Sequence, residues 1–145
     1  MKENENVFAL TGDLGYIGFN QIQKDFPDRF VNCGASEQTM LDIAVGLAYE
    51  DKIPFCYTIS PFFYRAFETI RTYIDYEHLN VKLIGSGRYK DYKHDGYSHD
   101  ATDIAGHLKM LFAIREKWPE TKEEIPLIIK EMCESDQPYF LSLRR

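Results

Sequence analysis

Short apolar runs set off by turn residues divide this chain into alternating strands and helices. Val7 to Leu10 is apolar and leads into Thr11-Gly12-Asp13-Leu14-Gly15, a turn sequence, so it reads as a buried strand. Gly18 to Asp25 reads as a short helix stopped by Pro27, and Arg29 to Asn32 as a second strand. Ser36 to Glu50 carries the clearest helical period, with Met40, Ile43, Ala44 and Leu47 on one apolar face. Pro54 to Ile59 is an apolar third strand of the kind found in parallel sheets covered on both sides. Pro61 opens a helix that runs to about Tyr76, and Val81 to Gly85 is a fourth strand.

The second half is less regular. A loop rich in Gly, Tyr and Lys spans Ser86 to Asp100, and Thr102 to Leu108 starts a short helix. Met110 to Ile114 is expected as a fifth strand, Trp118 to Glu134 as a helix bent near Pro126, and Pro138 to Leu143 as a last strand. Strands alternating with helices predict an α/β fold, a three-layer arrangement with a mostly parallel sheet flanked by helices. Ligands in such sheets sit at the carboxyl ends of the strands. That rule selects Gly12-Asp13, Gly34 to Gln38, Ser60 to Arg65, and Ser86 to His99.

Composition narrows the function classes. The chain has 145 residues, is 44% hydrophobic and 28% charged, and carries a net charge of −6. These values suit one globular domain spanning residues 1–145. An acidic balance argues against nucleic-acid binding, which needs clustered Lys and Arg. Cys33, Cys56 and Cys133 lack CxxC spacing, so they read as reduced thiols rather than a disulfide framework or a zinc site. Met1 to Asn6 is polar, and no apolar run nears the ~20 residues needed to span a bilayer. A cytoplasmic protein with no membrane segment and no metal site of its own is the expectation.

Glu37 stands just after a strand and a Gly-Ala turn, at the start of a helix. Helix dipole and free amides stabilise a carboxylate there, and that alone is an ordinary structural role. The surrounding string FPDRFVNCGASEQTMLDIAVGLAYEDKIPFCYTISPFFYRAFETIR, Phe26 to Arg71, is similar to the pyrimidine-binding domain of transketolases. The resemblance continues through LNVKLIGSG and through HDGYSHDATDIA, which resembles the family's Asp-Gly-x-Thr/Ser-His segment. Gly12-Asp13-Leu14 looks like the turn after the domain's first strand. It is closest to the small, split transketolases whose two domains lie on separate chains.

The resemblance implies thiamine diphosphate as cofactor. In the family, a glutamate at the position of Glu37 hydrogen-bonds N1′ of the aminopyrimidine and so promotes loss of the thiazolium proton. Phe62 matches an aromatic that stacks on that ring, and Arg65, one turn along, is a further cofactor-site candidate whose ordinary reading is a solvated helix residue. Asp13 aligns with an aspartate near the thiazolium ring, against the simpler reading of an Asx-type turn. His99 and Asp95 match substrate-facing positions, His99 as a catalytic candidate; a loop histidine and a turn-forming Asp-Gly are their plain alternatives.

Several features depart from the pattern. The motif that holds the diphosphate through Mg²⁺, Gly-Asp-Gly with a downstream Asn, is missing, so Mg²⁺ is assigned to a partner chain carrying the diphosphate-binding domain. The family's C-terminal domain is not expected within this sequence. Gly87 stands where some relatives carry a histidine, bulky Tyr89, Lys90 and Tyr92 follow, and Ile17 stands near a phosphate-contacting serine position. The resemblance thus implies a subunit of an enzyme transferring a two-carbon ketol unit between sugars, assembled as two copies of each chain. A catalytically inactive scaffold or regulatory partner stays open, as does a relative making deoxyxylulose phosphate or an E1-type dehydrogenase subunit.

Overall fold

The computed structural model describes residues 1–14 and 16–145; Gly15, at the end of the expected first turn, lies outside the described residues. Six strands form one sheet: β1 (Val7–Thr11), β2 (Phe30–Asn32), β3 (Ile53–Ile59), β4 (Lys82–Ser86), β5 (Arg115–Lys117) and β6 (Tyr139–Leu143). Their order is β2-β1-β3-β4-β6-β5, and every pairing is parallel. The helices are α1 (Tyr16–Asp25), α2 (Glu37–Tyr49), α3 (Phe67–Thr69), α4 (Ile104–Leu108) and α5 (Ile125–Glu134). The expected α/β fold with helices flanking a parallel sheet is what the chain forms.

Strand side chains alternate between two cores, as the pleat requires. Leu10, Cys56, Leu83 and Phe140 meet Met40, Leu41 and Ala44 of α2, together with Phe63, Ile70 and Ile74. Val7, Phe55, Tyr139 and Leu141 face the other way, onto Met132 of α5. Neighbours differing by one position along a strand, such as Tyr139 and Phe140, therefore sit in different cores. Lys82 is buried at the start of β4. Its Nζ donates to Ser135 O at 3.0 Å and Gln137 O at 2.5 Å, just past the end of α5, and lies 4.9 Å from the Tyr139 ring centroid. Burial lowers its pKa to about 8.

Three expectations are corrected. Met110 to Ile114 is no strand. Leu111 and Ile114 are buried, but the amides of Phe112, Ala113 and Ile114 donate to the buried carboxylate of Asp75, at 2.7 to 3.2 Å, instead of to a ladder. The edge strand is the polar Arg115–Lys117, paired to β6. The last helix begins at Ile125, with Pro126 in its first turn as a start signal, not a bend within a longer helix. The stretch after β3 is helical but irregular: a 3₁₀ segment Ser60–Ala66, the single turn α3, then a π segment Ile70–Asp75. Smaller shifts occur at other element ends; Arg29 lies in a 3₁₀ turn, Pro27–Arg29, rather than in β2.

The connections set the site's location. The chain leaves β1 toward β2 on one side, then returns across to β3 on the other. A crevice opens at the carboxyl ends of strands where such a reversal occurs. Gly12, Glu37 at the first turn of α2, and Ser60 all lie at that edge.

Candidate functional site

Glu37 is the centre of a polar cluster. Gly34, at φ +67°, turns the chain out of β2, and the next residues enter α2 so that Glu37 is its first residue. Its side chain is 1% exposed. Oε2 accepts a bond from Arg65 Nη1 at 2.7 Å, and Oε1 accepts one from Thr58 Oγ1 at 3.2 Å. A buried carboxylate is costly unless such donors meet it. A Cβ on Gly12 would sit 3.4 Å from Glu37 Oε1 and 3.3 Å from Thr58 Oγ1, so glycine keeps the space beside the carboxylate clear.

The irregular helix explains how Arg65 arrives there. A 3₁₀ helix has three residues per turn, so residues i and i+3 eclipse one another. Phe62 and Arg65 are such a pair. The Arg65 guanidinium lies over the Phe62 ring, with Cζ 4.0 Å from the centroid. On another side, the His99 ring meets Phe62 edge-on at 4.9 Å, while His99 Nδ1 pairs with Ser98 Oγ at 3.0 Å. Glu37, Phe62, Arg65 and His99 therefore form one continuous group drawn from three segments.

Ser60 ties the 3₁₀ segment to the end of β4, where the loop that carries His99 begins. Its Oγ lies within hydrogen-bond reach of Gly87 O at 2.7 Å and Ser86 O at 3.3 Å. Gly85 permits this approach; a Cβ there would fall 2.5 Å from Ser60 Oγ. Further along the loop, buried Arg88 donates to Ser142 O at 2.7 Å and Pro119 O at 2.9 Å. Asp91 clasps Arg144 and the Arg145 amide; burial opposes its ionisation, but these bonds and the Arg88 amide prevail and hold its pKa below the usual value. Tyr64 donates to Asp103 at 2.8 Å beside His107 Nδ1 at 3.0 Å, tying the 3₁₀ segment to α4's start. Burial, then that bond, raises its pKa.

The other expected residues fall outside the cluster. Asp13 follows Gly12, but its exposed side chain accepts from Asn32 Nδ2 at 3.1 Å, and its φ of +60° is a left-handed conformation that aspartate tolerates. Asp95 is exposed within the 3₁₀ turn Lys93–Asp95. Gly87, at φ +82°, could not carry a histidine in this arrangement, since a Cβ would lie 2.3 Å from the Tyr92 ring. Tyr92 is folded inward, its hydroxyl 2.8 Å from Ser86 Oγ, whereas Tyr89 is exposed. Ile17 is 91% exposed. Sequence marks Ser60 only as the start of a ligand-edge stretch and gives Thr58 no role, although a threonine in the otherwise apolar run of β3 is a readable signal.

Cys33, Cys56 and Cys133 are free thiols, and burial raises the pKa of each. Among the described residues, no group of three or more His, Cys, Asp or Glu gathers to hold a metal ion. Nor is any described helix long and apolar enough to cross a membrane.

Fold and cluster together define a parallel α/β domain with a buried carboxylate, an aromatic face and a histidine at its switch point. The family model for the transketolase pyrimidine binding domain matches residues 1–145, and the chain belongs to that family. It is similar to a transketolase C-terminal section from Methanocaldococcus jannaschii, at 40% identity over 146 residues, covering 99% of this chain and 46% of that protein. It is 42% identical over 85 residues to mouse transketolase, covering 57% of this chain and 14% of the mouse protein. A split gene transketolase solved as an inactive β4 tetramer superposes with a TM-score of 0.86 at 32% identity, covering 99% of this chain and 47% of that one. Campylobacter jejuni transketolase, at 18% identity and a TM-score of 0.87, shares the fold over 99% of this chain and 23% of its own. The chain thus spans less than half the length of each of these relatives.

Proposed function

We propose that this chain is the pyrimidine-binding half of a thiamine diphosphate-dependent, transketolase-like transferase. The observation that carries the reading is Glu37: a buried carboxylate beside an aromatic face, within a domain of the pyrimidine-binding family. The residues fit an aminopyrimidine. Phe62 offers a ring to stack on, Glu37 a carboxylate for a ring nitrogen, and Gly12 the clearance beside it. Thiamine diphosphate, when bound, supplies a thiazolium carbon that adds to ketose carbonyls and carries a two-carbon unit.

Glu37 holds or releases a proton at its contact with the ring nitrogen, in a site where buried surroundings strengthen that bond. Thr58 orients the second carboxylate oxygen. His99, in edge contact with Phe62, is positioned to hydrogen-bond a sugar oxygen from the same side of the site. The diphosphate and Mg²⁺ are assigned to a partner chain carrying the diphosphate-binding domain, with two copies of each chain in the assembly. The family match to a pyrimidine-binding rather than a diphosphate-binding domain supports that division.

The decisive experiment mixes this chain with such a partner, thiamine diphosphate and Mg²⁺, and follows assembly, thiazolium-proton exchange by NMR, and ketol transfer between sugars. Exchange well above that of the cofactor alone, lost in Glu37→Ala, supports the reading. No acceleration in a mixture shown to assemble favours a scaffold instead. The solved split gene relative, an inactive β4 tetramer, is the observation on that side.

A further inference from the structure

Arg65 already makes both contacts that a planar nitrogen heterocycle would make in this site. Its Nη1 donates to Glu37 Oε2 at 2.7 Å, and its flat guanidinium rests on Phe62 at 4.0 Å. A guanidinium and an aminopyrimidine share a shape: each is planar, with a π face and hydrogen-bonding edges. Only one of them can lie on that face of Phe62 and bond that oxygen. We infer that Arg65 is a displaceable plug, which fills the pyrimidine site in the free chain and swings into solvent when the ring enters. This inference rests on the aminopyrimidine reading given above.

The two partners differ in their freedom to move. Glu37 is 1% exposed and fixed at the first turn of α2, whereas Arg65 is 52% exposed and reaches water by side-chain rotation alone. Arg65 regains hydration as it leaves, and the entering ring nitrogen shares with Oε2 a proton taken up from water, so the buried carboxylate is not left charged and unpaired. When Arg65 leaves, Thr58 still donates to Oε1, so the carboxylate keeps one protein partner while its other oxygen faces the ligand. The plug also selects. A flat ring that cannot hydrogen-bond the carboxylate gains too little from Phe62 to displace Arg65, and an anionic ligand would have to leave Glu37 unpaired or meet its charge.

The test uses the full chain with arginine labelled in its guanidinium nitrogens. The probe is 4-amino-5-hydroxymethyl-2-methylpyrimidine, the ring alone. In the free chain, rotation about the Arg65 guanidinium bonds is expected to be slow; adding the pyrimidine restores fast rotation. Arg65→Ala is expected to bind the ring roughly fivefold tighter, with Arg65→Lys between the two. The labelled wild-type signal carries the test if Arg65→Ala does not fold. Pyrimidine binding that leaves Arg65 rotation slow, or that weakens in Arg65→Ala, overturns the plug and leaves the aminopyrimidine reading standing, with Arg65 as a ligand contact. No pyrimidine binding by folded wild type or by folded Arg65→Lys overturns both.

Discussion

Glu37 and Lys82 are both buried charges, one at the helix start beside the sheet's carboxyl edge and one in a strand at its amino edge, and their partners differ in kind. Glu37, at the carboxyl edge, is met by a hydroxyl and by an arginine whose side chain is half in water. Lys82, at the amino edge, is met by the main-chain carbonyls of Ser135 and Gln137, and burial lowers its pKa to about 8. Carbonyls of the backbone cannot be exchanged for a ligand without unfolding the turn that carries them. A side chain that rotates can. Partner mobility, more than burial, separates a charge that a ligand can reach from one that clasps a helix end to a strand.

Replacing the carboxylate tests the chemical half of that contrast and has the largest expected effect. In the proposed assembly with a diphosphate-binding partner, Glu37→Gln is expected to lower proton exchange and ketol transfer by about two to four orders of magnitude. Its melting temperature should change little; a folded, fully active variant would end the comparison. Lys82 tests the structural half through pH. Its folded pKa of about 8 lies below the ordinary 10.5, so the unfolded chain binds more protons between those values. Stability from this group therefore rises with pH across that window, and below it the full cost of a buried charge applies. Unfolding free energy of wild type minus that of Lys82→Met should rise by on the order of 3 kcal/mol from pH 8 to 10.5. Taking the difference cancels Cys56, whose raised pKa makes stability fall as pH climbs past its ordinary 9.0. A flat difference would mean Lys82 reaches water.

Two smaller effects refine the picture at the carboxyl edge. Gly85→Ala places a methyl 2.5 Å from Ser60 Oγ and 2.9 Å from Phe140 Cζ, so it should cost about 2 kcal/mol in denaturant unfolding. Phe62→Leu should weaken pyrimidine binding by about 1 kcal/mol by calorimetry, leaving stability nearly unchanged.

The inner strands were legible because they are apolar runs bounded by Gly, Pro or Asp. The edge strand β5 was not, unlike the other edge, β2. Arg115-Glu116-Lys117 is polar because one side of an edge faces water, while the apolar run before it is held by Asp75, a long-range acceptor that periodicity does not show. In the last helix, a proline after a run of polar residues fits a bend as well as a start, and only the fold shows that Pro126 begins α5. At the site, residue types and resemblance pointed to Glu37, Phe62 and His99. The stacking of Arg65 on Phe62 was hidden, because it depends on 3₁₀ rather than α winding of Ser60–Ala66, and an α-helical reading places residues three apart at an angle.

The bridge from Ser60 ends at the root of the loop, on Ser86 and Gly87, and not at its tip. Phe62 is consequently registered to the strand end, while Arg88, Asp91 and Tyr92 fix the first part of the loop and the stretch from Lys93 to Asp100 lies beyond those anchors. Such an arrangement is modular. Stretches of other lengths and sequences can be exchanged between those anchors and Asp100 while Glu37 and Phe62 stay in register, without rebuilding the sheet.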